Sequence, residues 1–343
     1  MIMKVKGKML SLVAAAVISV IFATGTGSVY IRPAEIAAIF FSRLSGASLP
    51  ESVDPIYAAL VMDMRLPRVL LAFFTGAALA ACGTVMQSVL KNPLASPYGL
   101  GISAGSGLGA ALVIVSGGAV GTLGLFLLPA VSFGFGLATM VTVMALSSCI
   151  DRRMPNTTIV LTGMVVSLFF SAIMNLLGTI SPSYAQRINL WQLGSFSGRD
   201  WSSIGILMPV FLICMLFFLG CSREMDIMTF GEEQAQAMGV DLRRSKWLLI
   251  GGVAVLTGTA VAFAGIIGFV DLIAPHVVRR VFGSSHKKIL PASALFGGTF
   301  MVLCDLAART VASPREIPVG SVTALIGAPF FFYVFFMGRK DKM

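Results

Sequence analysis

Charged residues are scarce in this sequence of 343 residues. Asp, Glu, Lys and Arg together make up 12% of the chain, whereas hydrophobic residues make up 57%. A soluble domain carries about a quarter charged residues. The mean hydropathy is +0.91, and the apolar residues come in blocks of about 20, the length that a helix needs to cross the hydrocarbon core of a bilayer. The scarcity of charge therefore excludes a water-soluble fold and indicates a multi-pass membrane protein.

The apolar blocks also lack the alternation of polar and apolar residues that marks the strands of a membrane β-barrel. Residues 207–220, for example, form one continuous apolar run. Because backbone groups in lipid must be paired within the protein, helices are the remaining choice. We predict an all-α polytopic membrane protein. The ten predicted spans cover residues 9–29, 68–90, 98–117, 121–147, 158–180, 203–221, 247–264, 265–282, 289–308 and 318–337.

Lysine is missing from the loops on one side of these spans. If the N-terminus is cytoplasmic, 17 of the 25 basic residues lie on the cytoplasmic side, and the eight on the outer side are all arginines. Because cytoplasmic loops carry an excess of Lys and Arg, we predict that both termini are cytoplasmic. The net charge of +10 is then a topology signal and predicts no nucleic-acid partner. The N-terminal run also fits a secretory signal peptide, but it lacks a clean cleavage site, so we retain it as the first span.

The sequence has few of the residues that catalysis or nucleotide binding requires. It contains two histidines, His276 and His286, and neither belongs to an HExxH motif. It has no Gly-Lys-Ser/Thr sequence of a phosphate-binding loop, and none of its five cysteines forms a CxxC pair. We therefore predict that the chain is not an enzyme, hydrolyses no ATP by itself, and binds no cofactor or metal of its own.

The longest cytoplasmic loop, residues 222–246, is too polar to enter lipid. Within it, the segment 231–239 begins with two acids, Glu232 and Glu233, and ends in a glycine. Acids are favourable at the positive end of a helix and glycine commonly ends one, so this pattern predicts a short helix. Its apolar members are Phe230, Ala235, Ala237 and Met238. A helix of this kind suits either a groove in a partner protein or the membrane surface.

Several short motifs make the sequence similar to one transporter family. They are Arg65-Leu-Pro-Arg68, Asn92-Pro-Leu-Ala95, Leu193-Gly-Ser195, Gly268-Phe269, Ala274-Pro-His276, Leu290-Pro-Ala292 and Ile317-Pro-Val-Gly320. On these motifs, the sequence resembles the FecCD-type permeases, which import iron-siderophores, haem and cobalamin. The resemblance implies a ten-helix fold, in agreement with the spans counted above. It also implies a single transmembrane permease domain over residues 1–343, located in the inner or plasma membrane.

The resemblance further implies partners and a mechanism. The permease is expected to pair with a second copy of itself or with a paralogue, with two ATPase subunits that use ATP and magnesium, and with an extracytoplasmic binding protein. ATP hydrolysis by those partners would drive alternating access. The expected cargo is a large metal chelate, with ferric siderophore favoured and haem or cobalamin as alternatives.

A different class of function, an ion-coupled secondary carrier or a channel, has one feature in its favour. Asp271 lies inside an apolar run, at a position where the family usually has a small residue. An acid in a membrane span is costly unless it faces a cavity or a partner. Asp271 is therefore either part of a transport path or a structural carboxylate, which lies near a helix end or is hydrogen-bonded between helices.

Carried onto this sequence, the family resemblance assigns roles to residues at both ends of the spans. The positions expected to dock the binding protein are Arg65, Arg68 and Arg309. Arginine suits such a contact because its planar fork binds a carboxylate at two points; the alternative is that these arginines anchor the chain at the membrane interface. The residues expected to contact the ATPase are Phe230, Gly231, Glu232, Glu233, Ala235, Met238 and Gly239.

The resemblance also assigns a gate and a path. Two cytoplasmic turns are expected to close the path, and their residues are Asn92, Pro93, Leu94, Asn156 and Thr157. The fifth span is expected to line the path with small, soft and weakly polar side chains, namely Thr162, Met164, Ser167, Phe169, Ser171 and Asn175. Such a wall would bind cargo weakly, which suits a transporter that takes its affinity from a separate binding protein.

Overall fold

The fold is a bundle of helices in a computed structural model that describes residues 2–27, 29, 31–50, 53–118, 121–180 and 182–340. Among these residues there is no β-strand. The helices are α1 (Ile2–Gly25), α2 (Pro33–Ser45), α3 (Pro55–Ala59), α4 (Leu66–Val89), α5 (Ile102–Val115), α6 (Gly121–Ile150), α7 (Asn156–Ile180), α8 (Pro182–Gln192), α9 (Trp201–Gly220), α10 (Ser222–Met228), α11 (Glu232–Ala237), α12 (Leu242–Ala264), α13 (Val270–Phe282), α14 (His286–Thr310) and α15 (Val319–Lys340). A π-helical segment, Leu60–Arg65, joins α3 to α4, and a 3₁₀ turn, Pro97–Leu100, precedes α5.

Seven of the predicted spans correspond to helices that are long and apolar enough to cross a membrane. These are α1, the continuous helix from α3 through α4, α6, α7, α9, α12 and α14. The remaining three predicted spans correspond to α5 and α13, which have 14 and 13 residues, and to α15, which has 22 residues and begins one residue after its predicted start. The all-α, multi-pass architecture is therefore confirmed, although two of the spans are shorter than expected.

The predicted eighth span, residues 265–282, is the largest departure. Helix α12 ends at Gly265, which has a φ of 76°, and the chain stays non-helical until Phe269, which has a φ of 70°. Both values lie in the left-handed region, which interrupts a right-handed helix. The remaining 13 residues of α13 cover about 20 Å, too little to cross the hydrocarbon alone. The third span is shortened in the same way, because Gly101 has a φ of 78°.

Four helical segments were not predicted as elements. Helices α2 and α3 lie between the first two spans, α8 follows α7, and α10 lies in the loop of residues 222–246, which was predicted to be cytoplasmic. The apolar side chains of α2 pack into a small cluster of their own with the α3 region, which includes Ile36, Ile39, Val53 and Val61. The sequence did not predict these helices because they are too short or too polar, whereas the spans were predicted from apolar runs of about 20 residues.

Helix α4 is the centre of the bundle. In the apolar segment that ends in α4, 83% of the residues are buried inside the protein, and α4 contacts α9, α12, α13 and α14. Glycines allow the closest of these contacts. Gly76 of α4 lies against the backbone of Gly297 in α14, and Gly83 lies against the backbone of Asp271 in α13. Small residues at such positions let helix backbones approach closely in lipid, where no hydrophobic effect drives helices together.

Helix α7 is the opposite case. Only 17% of its apolar segment is buried, the lowest share among the seven long helices. Its uncovered side carries large apolar side chains, including Leu161, Met164, Val165, Leu168 and Phe169. This face is available for lipid, for a second protein chain or for a transport path.

The close approach of α4 and α13 can be tested with one methyl group. A Cβ atom at Gly83 would lie within 3.0 Å of three backbone atoms of Asp271, whereas a Cβ atom at Gly134 in α6 would meet nothing within 4 Å. Overpacking costs about 1–3 kcal/mol. We expect Gly83→Ala to lower the thermal unfolding temperature of the purified protein in detergent. Gly134→Ala, the control, should unfold at or above the wild-type temperature because alanine favours a helix over glycine. Equal unfolding temperatures for both variants would contradict the contact.

Candidate functional site

A cavity of about 490 Å³ lies at one end of the bundle and is lined by four of the eight arginines that were predicted to be on the outer side. We call it the arginine cavity. Its lining includes four arginines and three acids, namely Arg65, Arg68, Arg199, Arg309, Asp63, Asp200 and Glu316. The structure therefore brings together the three arginines that were predicted to dock a binding protein, although Arg309 is more than 200 residues away from the other two in the sequence.

A buried carboxylate holds two of these arginines. Asp305 is 1% exposed, and it accepts hydrogen bonds of 3.0 Å from Nε and 2.8 Å from Nη2 of Arg68. Its other oxygen lies 3.7 Å from Nε of Arg309. Arg68 also donates to Glu316 over 2.7 Å. These two arginines are thus fixed in place by acids of this chain, with 12% of the Arg68 side chain and 7% of the Arg309 side chain exposed.

Arg65 has a different environment from the one expected for a docking residue. It is 6% exposed, and its guanidinium donates to three backbone oxygens at the end of α1: Thr24 at 3.3 Å, Gly25 at 3.1 Å and Val29 at 2.6 Å. A cation is favourable at the carbonyl end of a helix. Arg309 adds a hydrogen bond to the carbonyl of Ala23. The guanidinium of Arg65 is therefore engaged by the backbone of this chain, and its docking role stays a prediction.

Arg199 was not predicted as a site residue. It lines the arginine cavity, and its Nε atom is buried without a hydrogen-bond partner among the described residues. The next residue, Asp200, caps the start of α9: its carboxylate accepts a hydrogen bond of 2.6 Å from the Ser202 hydroxyl. That hydrogen bond, together with the Ser203 amide, lowers the pKa of Asp200. The sequence predicts only that Arg199 lies on the outer side of the membrane, because no local motif marks its position.

The opposite end of the bundle carries the predicted ATPase contact. The short helix predicted within residues 231–239 is present as α11, between Gly231 (φ 139°) and Gly239 (φ 86°). Ala235 is fully buried, so it anchors the helix, whereas Phe230 and Met238 are 69% and 61% exposed. Glu233 is exposed as well. Glu232 is the exception, because it forms an ion pair of 3.0 Å with Lys246.

A buried polar chain connects the same region to the core. Asp226 of α10 contacts His286, the first residue of α14. Its carboxylate accepts a hydrogen bond from the backbone amide of His286 and lies 2.5 Å from the Nδ1 atom of the His286 ring. The other ring nitrogen lies 2.5 Å from the hydroxyl of Ser88 in α4. Arg279 of α13 donates to Ser88 and, over 2.8 Å, to Gln87. Four separate helices contribute these residues, so no local sequence pattern could have identified the chain.

The contacts from Asp226 through His286 to Ser88 resemble the Asp-His-Ser triad of a hydrolase, but the site does not support nucleophilic catalysis by the serine. Ser88 and His286 are 3% and 1% exposed, so a substrate has no access to the hydroxyl. A Gly-x-Ser-x-Gly pattern, typical of the nucleophile turn of α/β-hydrolases, occurs at Gly101–Gly105. Here it begins α5, after a 3₁₀ turn instead of a strand, and His286 pairs with Ser88.

The two predicted gate turns lie at the same end of the bundle. Asn92, Pro93 and Leu94 are exposed, and the Asn92 side chain accepts the Leu94 amide over 2.9 Å, which stiffens the turn. Asn156 begins α7, with its side-chain oxygen buried and unpaired among the described residues, and Thr157 is exposed. The geometry shows where the turns are, while their gating role stays a prediction.

Asp271 lies near the first of these turns. It is 1% exposed, stands in the first turn of α13, and accepts a hydrogen bond from the Ser96 hydroxyl. The position and hydrogen bond of Asp271 agree with a carboxylate that is held near a helix end, while its role in a transport path stays untested.

The residues predicted to line a path follow α7. Met164, Phe169 and Asn175 are exposed, whereas Thr162, Ser167 and Ser171 are half-buried. The Ser167 hydroxyl is turned back to its own helix, where it donates to the carbonyl of Gly163 over 2.7 Å. The uncovered face of α7 is therefore mostly apolar and carries no charge.

Asp305 supplies the prediction from this geometry. Asp305→Asn removes the charge that Arg68 and Arg309 share, and breaking a buried ion pair costs about 3–5 kcal/mol. We expect a large drop in the thermal unfolding temperature in detergent. Glu316→Gln, the control, removes an acid that is 41% exposed and should change stability by about 1 kcal/mol at most. If both variants unfold like the wild type, the shared ion pair does not stabilise the fold.

Known proteins are similar to this chain in sequence and in fold. The sequence profile of the FecCD transport family matches residues 15–337. The uncharacterized ABC transporter permease protein YvrB of Bacillus subtilis is 39% identical, over 92% of this chain and 89% of its own. The cobalamin import system permease protein BtuC of Halobacterium salinarum is 38% identical, over 84% and 76%. The Fe(3+)-citrate import system permease protein YfmE of B. subtilis is 34% identical, over 98% of both chains.

A solved structure agrees with these relatives. It is an ABC transporter assigned to the metal-chelate type, in an inward-facing conformation, and it superposes with a TM-score of 0.84. The sequences are 31% identical, and the match covers 97% of this chain and 99% of the other. Since the family profile covers nearly the whole length and the fold agrees, the chain belongs to the FecCD transport family, the permeases of ABC importers.

Proposed function

We propose that this protein is the membrane-spanning subunit of a binding-protein-dependent ABC importer for a large metal chelate. The observation that carries the proposal is α11, a short helix at the end of the bundle that is flanked by two large exposed apolar side chains, Phe230 and Met238. A helix that is anchored by a buried alanine and presents apolar residues suits a groove in a partner. The proposed partner is the ATPase, two subunits of which would bind ATP and magnesium and hydrolyse ATP.

The arginine cavity supports docking of an extracytoplasmic binding protein at the other end. Acidic side chains on that protein would pair with Arg199, which lines the cavity and whose Nε atom has no hydrogen-bond partner among the described residues. Complementary charge mainly raises the rate of encounter and fixes the orientation. Because Arg68 and Arg309 are already held by Asp305, they would meet the partner without a further cost of ordering long side chains. The proposal takes both termini as cytoplasmic, which is the orientation that the charge distribution predicts.

The uncovered face of α7 supports a path between two copies of the chain. A dimer would place the α7 helices of both copies near its axis, with the turns at Asn92 and Asn156 closing the path on the cytoplasmic side. Alternating access would then follow from movement of one permease against the other, driven by the ATPase. An uncharged, mostly apolar wall would release a bulky cargo readily.

The proposed cargo is a ferric siderophore, with haem or cobalamin as the alternative chelates. Two of the relatives described above are named for import of ferric citrate and of cobalamin, and both cargoes are bulky metal chelates. An ion-coupled carrier remains the competing class. Its single feature, Asp271, is buried against Ser96, an arrangement that favours a structural role over ion coupling.

Uptake by the reconstituted complex tests the function. Proteoliposomes that contain this permease together with its ATPase and binding-protein partners should take up a ⁵⁵Fe-labelled ferric hydroxamate siderophore only with ATP inside and binding protein outside. The permease alone should hydrolyse no ATP, because it has no phosphate-binding loop. Ferric citrate, haem and cobalamin, assayed in parallel, rank the cargo. Uptake driven by a proton or sodium gradient without ATP would show a secondary carrier instead.

Charge reversal in the arginine cavity tests docking separately from stability. Arg199→Glu breaks none of the ion pairs described above, so we expect the assembled complex to remain folded. Its affinity for the binding protein at low salt should fall about 30-fold or more, since removing one partner of a desolvated charge pair costs about 2–5 kcal/mol. The control is Arg315→Glu, an exposed arginine outside the cavity lining, which should bind as the wild type does. Equal affinity of both variants in nanodiscs would remove the cavity from the docking surface.

A further inference from the structure

Lys246 is a buried cation that the proposed function does not yet use. It lies in the second turn of α12 and is 1% exposed. An ammonium group taken out of water is costly unless its hydrogen bonds are replaced within the protein. Lys246 has two such replacements, and each comes from a different segment: the carboxylate of Glu232 at 3.0 Å and the backbone carbonyl of Met154 at 2.8 Å.

The first partner belongs to the proposed ATPase contact. Glu232 is the first residue of α11, and about a third of its side chain is exposed. The ion pair therefore fixes the start of α11 to the start of α12. If a bound partner moved α11, Glu232 would move with it and displace the ammonium group of Lys246.

The second partner belongs to the turn between α6 and α7, where the proposed gate lies. Met154 is fully buried and has a φ of 50°, and its amide donates to the carbonyl of Asp151 over 2.9 Å. Two residues later, Asn156 begins α7. A left-handed methionine in a hydrogen-bonded turn has little freedom to move alone. Displacement of its carbonyl would therefore move the start of α7.

The neighbouring helix α10 is connected differently. Its Asp226 contacts His286, and through it Ser88, so α10 is joined to α14 and α4. Those helices form the closely packed core, whereas α7 is the least buried of the long helices. Of the two connections, the one through Lys246 leads to the element that has the most freedom to move.

We infer that Lys246 is a positioning residue that transmits movement of α11 to the start of α7 and hence to the gate. The inference rests on the proposed function, because it takes α11 as the ATPase contact and the turn before α7 as part of the gate. Coupling of this kind needs a physical connection whose state both sites influence. A lysine shared by one side-chain and one backbone acceptor provides it.

The test compares hydrogen exchange of the two connected segments in the full importer. The complex of permease, ATPase and binding protein, in nanodiscs, is measured by mass spectrometry with and without ATP trapped by vanadate. In the wild type, trapping should change exchange in residues 231–239 and in residues 151–157. In Lys246→Met, the change at 231–239 should persist while the change at 151–157 falls about 3-fold or more, a typical effect of a mutation within a coupling network. The control Lys288→Met, an exposed lysine on α14, should behave as the wild type.

The amount of ⁵⁵Fe-labelled ferric hydroxamate taken up per ATP hydrolysed should fall in parallel in Lys246→Met, and Lys246→Arg should restore part of it. If Lys246→Met does not assemble, Glu232→Gln breaks the ion pair but keeps the bond from Lys246 to Met154, and it should reduce the same response. An undiminished response at 151–157 in an assembled variant overturns the inference. A wild-type complex that hydrolyses ATP without any change at 231–239 overturns the proposed ATPase contact and the inference with it.

Discussion

The contact between the backbone of α4 and its neighbours is the constraint on which the rest of the structure depends. In lipid, helices gain little from burying apolar surface, so close packing has to hold the bundle together. Gly76 and Gly83 let α14 and α13 approach α4 to backbone contact. Helix α13 can be short and can begin after a non-helical segment because that contact fixes it. Two glycines of α4, Gly76 and Gly83, thus determine how closely α14 and α13 pack, and these helices contribute residues to the arginine cavity and to the polar chain.

Buried charge follows the same logic. Four charged groups at the two ends of the bundle have partners within the chain: Arg68 and Arg309 with Asp305, Arg65 with the end of α1, and Lys246 with Glu232. Several residues that the sequence assigns to contacts with other proteins therefore form ion pairs or hydrogen bonds within this chain. A partner protein would meet side chains that are already held in position, which favours a specific orientation over a flexible attachment.

The sequence predicted the elements that depend on local pattern and missed those that depend on distant contacts. Run length identified the long spans, and the acids and glycines around residues 231–239 identified α11. The shortening of α13 was not predicted, because the run of apolar residues continues through Gly265 and Phe269 and only the backbone angles reveal the break. Likewise, the capping of α1 by Arg65 and the chain from Asp226 to Ser88 join residues from separate helices. The outer position of Arg199 was predicted, but its place in the cavity was not.

The central claim is that this chain is one of two membrane subunits of an ATP-driven importer, with α7 near the shared axis and α11 against the ATPase. Native mass spectrometry of the detergent-solubilised permease, expressed together with its ATPase partner, tests this claim most directly. The account predicts a particle that contains two permease chains, or one with a paralogue, and two ATPase subunits. A permease that is released as a monomer without any ATPase, under conditions that preserve other membrane complexes, would contradict it.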